Sequence, residues 1–411
     1  MSEGLGLFDE DVSDDYYEYE DEPPQRGRGG RAKRGRKRSR KVVWTILLVL
    51  VVLIAAGAYF GVRQVIGLGY YPDFSGAGTT DVVFEVNSGD TLRDVGDNMQ
   101  QDGIVASANA FVKAAKENDE VSGVQPGFYL VKEHMSGAAA VEKIVAPKTR
   151  VGQIGINSGT MLDDTTATNG KVTSGILSKL AQASCATING RSTCLPATDF
   201  QAAIQNTSPA ALGVPSWAIP TVTAADPRHK LEGLLVPGVY NIKPGATAVQ
   251  DLSDMLSQSA AQLQADGLPS TSQQQSGFSP YQLLTIASIV ERESGTTADM
   301  PKVARVLYNR LAQGQNLQLD STVDYALDRP MVRTAAADQT KAGAYDTYHN
   351  PGLPPTPISS PSAGAIQAAI APASGPWLFF VVCQKDGTSC FATTFAEHQQ
   401  NITLAQQNGA Y

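Results

Sequence analysis

Residues Ser279 to Gly295 read SPYQLLTIASIVERESG, and this stretch decides the fold of the C-terminal half of the chain. Ser279 is a favourable N-cap, and Pro280 suits the first position of a helix. Two carboxylates, Glu291 and Glu293, come at the end of the stretch. The apolar residues between them and the cap are too dense for a thin surface stripe, so the pattern predicts a largely buried helix.

The two glutamates have competing interpretations. Carboxylates in the last turn of a helix oppose its dipole, and burial favours their protonated form. Either one could be a rim residue paired with an arginine. Either one could instead be a general acid whose pKa is raised by an apolar wall. Helical periodicity alone does not choose between Glu291 and Glu293.

Three further motifs follow in order. They are KVARVLYNRL (302–311), LQLDSTVDY (317–325) and YDTYHNPGLPPTPISSP (345–361). With ASIVERE before them, they resemble the MltG-type (YceG-like) endolytic murein transglycosylases. A less specific match, LEGLLVPGVY (231–240), lies upstream. The resemblance implies a membrane-anchored bacterial enzyme that cuts nascent peptidoglycan strands and terminates their elongation. It also implies that the first glutamate of the V-E-x-E run, Glu291, is catalytic.

The chemistry that the resemblance implies needs one carboxylate. The acid protonates the glycosidic oxygen between MurNAc and GlcNAc, and its conjugate base then deprotonates the C6 hydroxyl, which closes a 1,6-anhydro ring. We expect no cofactor and no metal. Two alternatives remain open: a muramidase that uses water and a second carboxylate, and a non-catalytic peptidoglycan-binding scaffold.

Six further residues are predicted, with less support, to bind the substrate. Amide groups suit the N-acetyl and hydroxyl groups of a sugar, and tyrosine rings can stack on its faces. The competing interpretations are structural: amides that bond helix ends, half-buried tyrosines, and an aspartate that caps a helix beginning near Ser321. The six residues are Asn309, Gln318, Asp320, Thr322, Tyr345 and Tyr348.

The N-terminal region combines opposite charges with an apolar run. Residues 1–25 hold ten acidic residues, and residues 26–41 hold ten basic ones. Val42–Val62 contains 21 residues without a charge, enough to cross a bilayer as a helix. The basic block before the run predicts a cytoplasmic N-terminus and an exterior catalytic part, and it argues for a membrane surface rather than nucleic acid. A cleaved signal peptide competes, but the run and its leader are too long.

The four cysteines all follow the apolar run. An exported compartment permits disulfides. Three connectivities are possible, and proximity in the sequence favours Cys185–Cys194 and Cys383–Cys390.

The order of patterns predicts an α+β fold with several parts. We expect a disordered cytoplasmic tail (1–41), a single transmembrane helix (42–62), a linker (63–80), a LysM-like subdomain (81–147) and a mixed α/β catalytic domain (148–411). The last would carry a disulfide-bearing insertion near 182–228. Expected partners are glycan strands, the membrane and peptidoglycan synthases.

An internal duplication is also predicted. VNSG (86–89) recurs as INSG (156–159), and PGFY (126–129) recurs as PGVY (237–240). The two motifs of the second copy, INSG and PGVY, lie farther apart than those of the first copy, and the insertion accounts for the extra residues.

Overall fold

The computed structural model describes residues 44–45, 48–59, 71–269, 277–328 and 336–410, with backbone alone at 336–337. The chain divides into two units, 1–70 and 71–411, and each is described by itself. The described residues of the first unit are helical, and the large apolar side chains from Leu48 to Ile54 are 52–65% exposed. Within the described residues, no helix combines the length and apolarity needed to span a membrane. The predicted tail 1–41 lies outside the described residues, as do parts of Val42–Val62 and of the linker.

The second unit begins with a three-stranded antiparallel sheet, whose strands lie side by side in chain order and are covered by three helices. Thr91, Ser107 and Ser136 each cap one of these helices with a side-chain oxygen. A separate hydrophobic core, which includes Phe84 and Phe111, lies between sheet and helices. The elements are β1 (Asp81–Val86), α1 (Leu92–Gln101), α2 (Ala108–Lys116), a 3-10 turn (Asp119–Gly123), β2 (Gly127–Lys132), α3 (Gly137–Val145), a second 3-10 turn (Pro147–Thr149) and β3 (Arg150–Val151).

A larger hydrophobic core holds the rest of the chain together. Among the residues that the structure describes, the strands of this part form four two-stranded antiparallel ribbons. These are β4 (Gln153–Ile156) with β9 (Gly238–Asn241), β5 (Thr165–Thr166) with β6 (Val172–Thr173), β7 (Thr187–Ile188) with β8 (Arg191–Ser192), and β10 (Phe379–Val382) with β11 (Ser389–Ala392).

Helices supply most of this larger core, which makes the class α+β as predicted. They are α4 (Ile176–Ala183), α5 (Ala197–Asn206), α6 (Ile219–Ala224), α7 (Ala248–Ala265), α8 (Pro280–Glu293), α9 (Met300–Ala312), α10 (Asp320–Ala326), α11 (Ala336–Gln339), a 3-10 helix (Thr340–Tyr345), α12 (Ala363–Ile370) and α13 (Phe395–Asn408).

The buried helix α8 has the predicted limits. Ser279 and Gln282 form a capping box at its start, and Pro280 is its first residue. Every residue from Leu283 to Val290 is buried. The helix packs against α9, α10 and α12, so its C-terminal glutamates emerge from the centre of the larger core.

The predicted duplication is confirmed by strand register. Val86 pairs with Gly127 in β1–β2, and Ile156 pairs with Gly238 in β4–β9. In each copy the following tyrosine donates its hydroxyl hydrogen to the carbonyl four residues earlier, at 2.6 Å in both cases. The matching motifs therefore occupy matching positions.

Both predicted disulfides are present. Cys185–Cys194 closes the β7–β8 ribbon, and Cys383–Cys390 closes the β10–β11 ribbon. Each bond joins cysteines fewer than ten residues apart, so it restrains a local surface excursion.

Candidate active site

Glu291 is bound to the start of a neighbouring helix. Its Oε2 atom accepts hydrogen bonds from the backbone N–H of Ser362 at 3.0 Å and from the Ser362 hydroxyl at 2.5 Å. Ser362 is the N-cap of α12. The unpaired N–H groups and the positive end of the dipole favour a carboxylate at this place. Glu291 therefore fastens α8 to α12.

Glu293 lies against the start of α10, one residue beyond Arg292. Burial raises the pKa of Glu293, and the negative charge of Asp320 raises it further. Hydrogen bonding from Ser321 and the charge of Arg292 lower the pKa but do not cancel the shift. The residue still exposes part of its surface. A carboxyl that keeps its proton to higher pH is suited to general acid catalysis.

Three of the predicted substrate-binding residues lie around the start of α10. Gln318 is exposed and has a φ of 52°, a left-handed conformation that non-glycine residues seldom adopt outside turns and functional sites. The Tyr348 hydroxyl donates to Asp320 at 2.8 Å. Asp320 is the first residue of α10 and Leu319 is its N-cap, so the alternative prediction that Asp320 caps the helix is wrong.

The other three predicted binding residues are occupied by contacts within the protein. The amide of Asn309 donates to two backbone carbonyls of segment 375–377, at 3.0 and 2.8 Å. Thr322 is fully buried, and its hydroxyl donates to the preceding turn at 2.9 Å. The hydroxyl of Tyr345 lies 2.8 Å from that of Thr356, and the ring is buried. These three side chains are engaged in contacts that stabilise the surrounding segments.

Arg310 is a site residue that the sequence reasoning missed. The residue is 9% exposed, and its guanidinium donates to the carbonyls of Leu378 at 2.7 Å and Leu317 at 2.6 Å. Burial lowers the pKa of Arg310, and the charge of Glu293 partly offsets this effect. The YNRL motif contains Arg310, but its partners are distant in the sequence, so periodicity gave no signal for its role.

A buried polar cluster lies behind the site. Glu232, from the LEGLLVPGVY motif, is 1% exposed and accepts a hydrogen bond from the Leu162 N–H at 3.1 Å. Burial raises the pKa of Glu232 to about 8. The rings of Tyr325 and Tyr345, 5.1 Å apart, lie beside it. Because Tyr325 belongs to α10, the cluster connects the upstream motif to the helix that faces Glu293.

A cavity of about 750 Å³ lies at the opposite end of α8, beside Phe278, Tyr281 and Leu353. At 1.5 Å of rise per residue, Tyr281 is roughly 18 Å along the helix axis from Glu293. Despite its size, this cavity is therefore separate from the candidate catalytic glutamates.

Comparisons with known proteins give a consistent picture. The model of the YceG-like family matches residues 84–404. A protein of Streptococcus pneumoniae (strain ATCC BAA-255 / R6) named endolytic murein transglycosylase is 26% identical over 372 residues, which cover 86% of this chain and 63% of the relative. One of the same name from Bacillus subtilis (strain 168) is 26% identical over 323 residues, covering 78% of this chain and 84% of the relative.

A solved structure is also similar. The crystal structure of a YceG-like protein from Listeria monocytogenes has a TM-score of 0.50 and 25% sequence identity, covering 78% of this chain and 99% of that one. This chain spans about 63% of the length of the pneumococcal relatives.

Proposed function

The chain belongs to the YceG-like family, and on that premise we propose that it is an endolytic murein transglycosylase. Its substrate is the glycan strand of nascent peptidoglycan. It cleaves the bond between MurNAc and GlcNAc, leaves a 1,6-anhydroMurNAc end, and so terminates strand elongation. Two relatives from different bacteria carry the name of this activity, which supports the proposal.

The observation that carries the proposal is the environment of Glu293. This carboxyl ends the buried helix α8, has a raised pKa, and faces Asp320 and Ser321 at the start of α10. Gln318, which is exposed and has a left-handed backbone conformation, lies in the segment that leads into α10. A partly exposed carboxyl with a raised pKa, lying beside polar groups, is suited to protonate a glycosidic oxygen.

In the proposed mechanism one carboxyl serves both half-reactions. Protonated Glu293 donates its proton to the glycosidic oxygen as the bond to C1 of MurNAc breaks. The resulting Glu293 carboxylate then removes the proton of the C6 hydroxyl, whose oxygen bonds to C1 and closes the anhydro ring. The acid is thereby restored, and no water is consumed. The negative charge of Asp320 stabilises the positive charge that develops at C1.

This mechanism assigns the acid to Glu293, whereas the family resemblance alone implied Glu291. Glu291 stays a prediction, but its contacts support a different role. One of its oxygens already accepts two hydrogen bonds from Ser362 at the N-terminus of α12. A proton donor should instead lie where burial raises its pKa, as is the case for Glu293.

A muramidase is the second candidate, and the proximity of Asp320 favours it. Hydrolysing glycosidases use two carboxylates, one as the acid and one to activate water or to act as a nucleophile. Asp320 is close enough to raise the pKa of Glu293, so the site contains a candidate for the second carboxylate.

Product analysis separates the candidates. The full chain, purified in detergent, is incubated with uncrosslinked glycan strands, and the fragments are analysed by mass spectrometry. We expect 1,6-anhydroMurNAc ends. Reducing ends that incorporate oxygen from labelled water would show a muramidase. Absence of new ends, with strands still bound, would show a peptidoglycan-binding scaffold.

We also infer a single-pass membrane anchor at Val42–Val62, with the N-terminus in the cytoplasm and unit 71–411 outside. Support comes from the basic block before the run and from the apolar side chains of 48–54, which remain exposed all around the helix. Protease added to intact spheroplasts should digest the large unit and leave the basic tail protected. Digestion of the tail alone would reverse the topology.

The subdivision of the large unit is also proposed. Two separate hydrophobic cores support a LysM-like glycan-binding subdomain at 81–147 and a catalytic domain at 148–411. Peptidoglycan synthases remain expected partners because the proposed enzyme acts on strands that they elongate.

A further inference from the structure

We propose that a cavity beside Arg292 binds the peptide stem of the murein strand through the carboxylates of the stem. This inference rests on the proposed function, because it adds a stem subsite to the same active site. The cavity measures about 440 Å³, within the range of small-ligand sites, about 300–1,000 Å³. Arg292 on its wall belongs to α8, so the cavity borders the helix that carries the proposed acid.

The cavity is polar and positively charged. Arg292 and Lys179 supply two cations, and hydroxyl and amide groups of the turn 157–160 line another side. Among the described residues, no carboxylate forms a salt bridge with either cation. The ammonium of Lys179 donates to the Gly155 carbonyl at 3.2 Å and keeps further donors available.

Asp163, the one carboxylate among the described lining residues, is paired with an arginine outside the lining. Arg228 donates to it through Nε at 2.8 Å and also bonds Asp328 at 2.8 Å. The two cations Arg292 and Lys179 outnumber this single carboxylate, so the lining keeps a net positive charge. Both cations can make hydrogen bonds to a carboxylate, and such charge-assisted bonds are stronger than neutral ones.

The turn that lines the cavity belongs to the second copy of the duplicated motif. In this copy the Gly159 N–H donates to the Ser360 carbonyl at 2.8 Å, and the Ser360 N–H donates to the Thr160 carbonyl at 2.8 Å. Ser360 is two residues from Ser362, which binds Glu291. The equivalent turn of the first copy, 87–90, is largely exposed. The second turn is thus fixed beside the end of α8.

The chemistry of murein identifies the ligand. When the lactyl carboxyl of MurNAc is bonded to a stem, the sugars of the strand are neutral. They therefore offer no negative charge to the two cations. The stem is attached to the lactyl group on O3 of MurNAc, close to the glycosidic bond that is cut, and it carries free carboxylates. An extended chain covers about 3.3–3.6 Å per residue. A few stem residues therefore reach from the scissile sugar along the cavity.

The test compares two substrates and three variants of the full chain in detergent. One substrate is uncrosslinked strands with stems, and the other is the same strands after an amidase has removed the stems and left lactyl carboxylates. The variants are Lys179→Gln, Arg292→Gln and the matched control Lys171→Gln, an exposed lysine outside the cavity. The readout is the ratio of kcat/KM for stem-bearing strands to that for stripped strands.

We expect the ratio to fall about 3–10-fold for each cavity variant and to stay at the wild-type value for the control. The ratio removes effects that Arg292→Gln exerts through Glu293, because these act on both substrates. An unchanged ratio, which includes equal losses on both substrates, would overturn the inference. A loss confined to stripped strands would overturn it as well. The last result would assign the cavity to the lactyl carboxylate instead.

A binding measurement keeps the inference testable if the proposed function fails. Co-sedimentation of the full chain with each kind of strand needs no turnover. Weaker binding of Lys179→Gln to stem-bearing strands alone would support the stem subsite even in an inactive protein. Equal binding by the wild type and both cavity variants would reject it, whatever the products of the reaction are.

Discussion

Ser362 gives both of its donors, the backbone N–H and the hydroxyl, to the same carboxylate oxygen of Glu291, at 3.0 and 2.5 Å. The two residues are 71 positions apart in the chain. Their contact joins the end of the buried helix α8 to the start of α12, so it fixes the direction in which the V-E-x-E run leaves the core.

The first prediction concerns this contact. Glu291→Ala removes the acceptor of both hydrogen bonds, and we expect a loss of about 1–3 kcal/mol in the free energy of unfolding. Glu291→Gln keeps an acceptor and should lose less. Urea unfolding of both variants and of Ser362→Ala, arranged as a double-mutant cycle with Glu291→Ala, measures the coupling. Additive effects of the two changes would show that the contact contributes nothing to stability.

The second prediction concerns the pH dependence of stability. Burial raises the pKa of Glu232 to about 8 and that of Asp251 to about 7, whereas both lose their protons near pH 4 when unfolded. The folded state therefore binds more protons between these pH values, and stability falls as pH rises, by up to about 1.4 kcal/mol per pH unit for each group.

Thermal unfolding between pH 5 and 8 checks this sign. The wild-type midpoint should decrease as pH rises. Glu232→Gln, which cannot ionise, should show a shallower decrease and a relative gain at pH 8. Glu142→Gln, an exposed glutamate, is the control. The same pH dependence in the wild type and in Glu232→Gln would refute the account of the buried carboxyls.

The third prediction concerns the high-pH limb of the kcat/KM profile, where the general acid loses its proton. A general acid must be protonated, so activity should fall as pH rises through the raised pKa of Glu293. Asp320 raises that pKa through its negative charge. Asp320→Asn should therefore move the falling limb of the kcat/KM profile to lower pH, whatever its effect on the maximal rate. An unmoved limb would mean that Asp320 does not interact with the acid.

The fourth prediction concerns the Cys383–Cys390 bond, which closes the β10–β11 ribbon. Replacing both cysteines by serine should lower the free energy of unfolding by about 2–4 kcal/mol, because the unfolded loop regains conformational freedom. Non-reducing peptide mapping of exported protein establishes the pairing first. Free thiols, or a Cys194–Cys383 peptide, would contradict the connectivity.

The sequence predicted the local features of the fold well. The limits of α8 follow from the Ser279 cap and the density of apolar residues, which are properties of adjacent positions. The duplicated turns and both disulfides were recognisable for the same reason. The start of α10 was misplaced by one residue because Asp320 is a favourable cap, yet Leu319 occupies that position.

The environments of the two glutamates could not be predicted from the pattern. Glu291 and Glu293 flank the same helical face, and only long-range contacts distinguish them. Ser362 reaches Glu291 from the segment before α12, whereas α10 approaches Glu293. Neither of these two contacts can be read from helical periodicity. The internal roles of Asn309, Thr322 and Tyr345 were unpredictable for the same reason.

The measurement that tests the central claim most directly compares Glu293→Gln with Glu291→Gln. Both substitutions keep the shape of the side chain and remove its ability to deliver a proton. Melting curves first establish that both variants fold. The assay then measures how fast each full-length variant releases anhydro-ended fragments from uncrosslinked strands. Glu293→Gln should reduce the rate by about 10²–10⁴-fold, whereas Glu291→Gln should keep substantial turnover. Near-normal turnover by Glu293→Gln together with an inactive Glu291→Gln would contradict the account and assign the acid to Glu291.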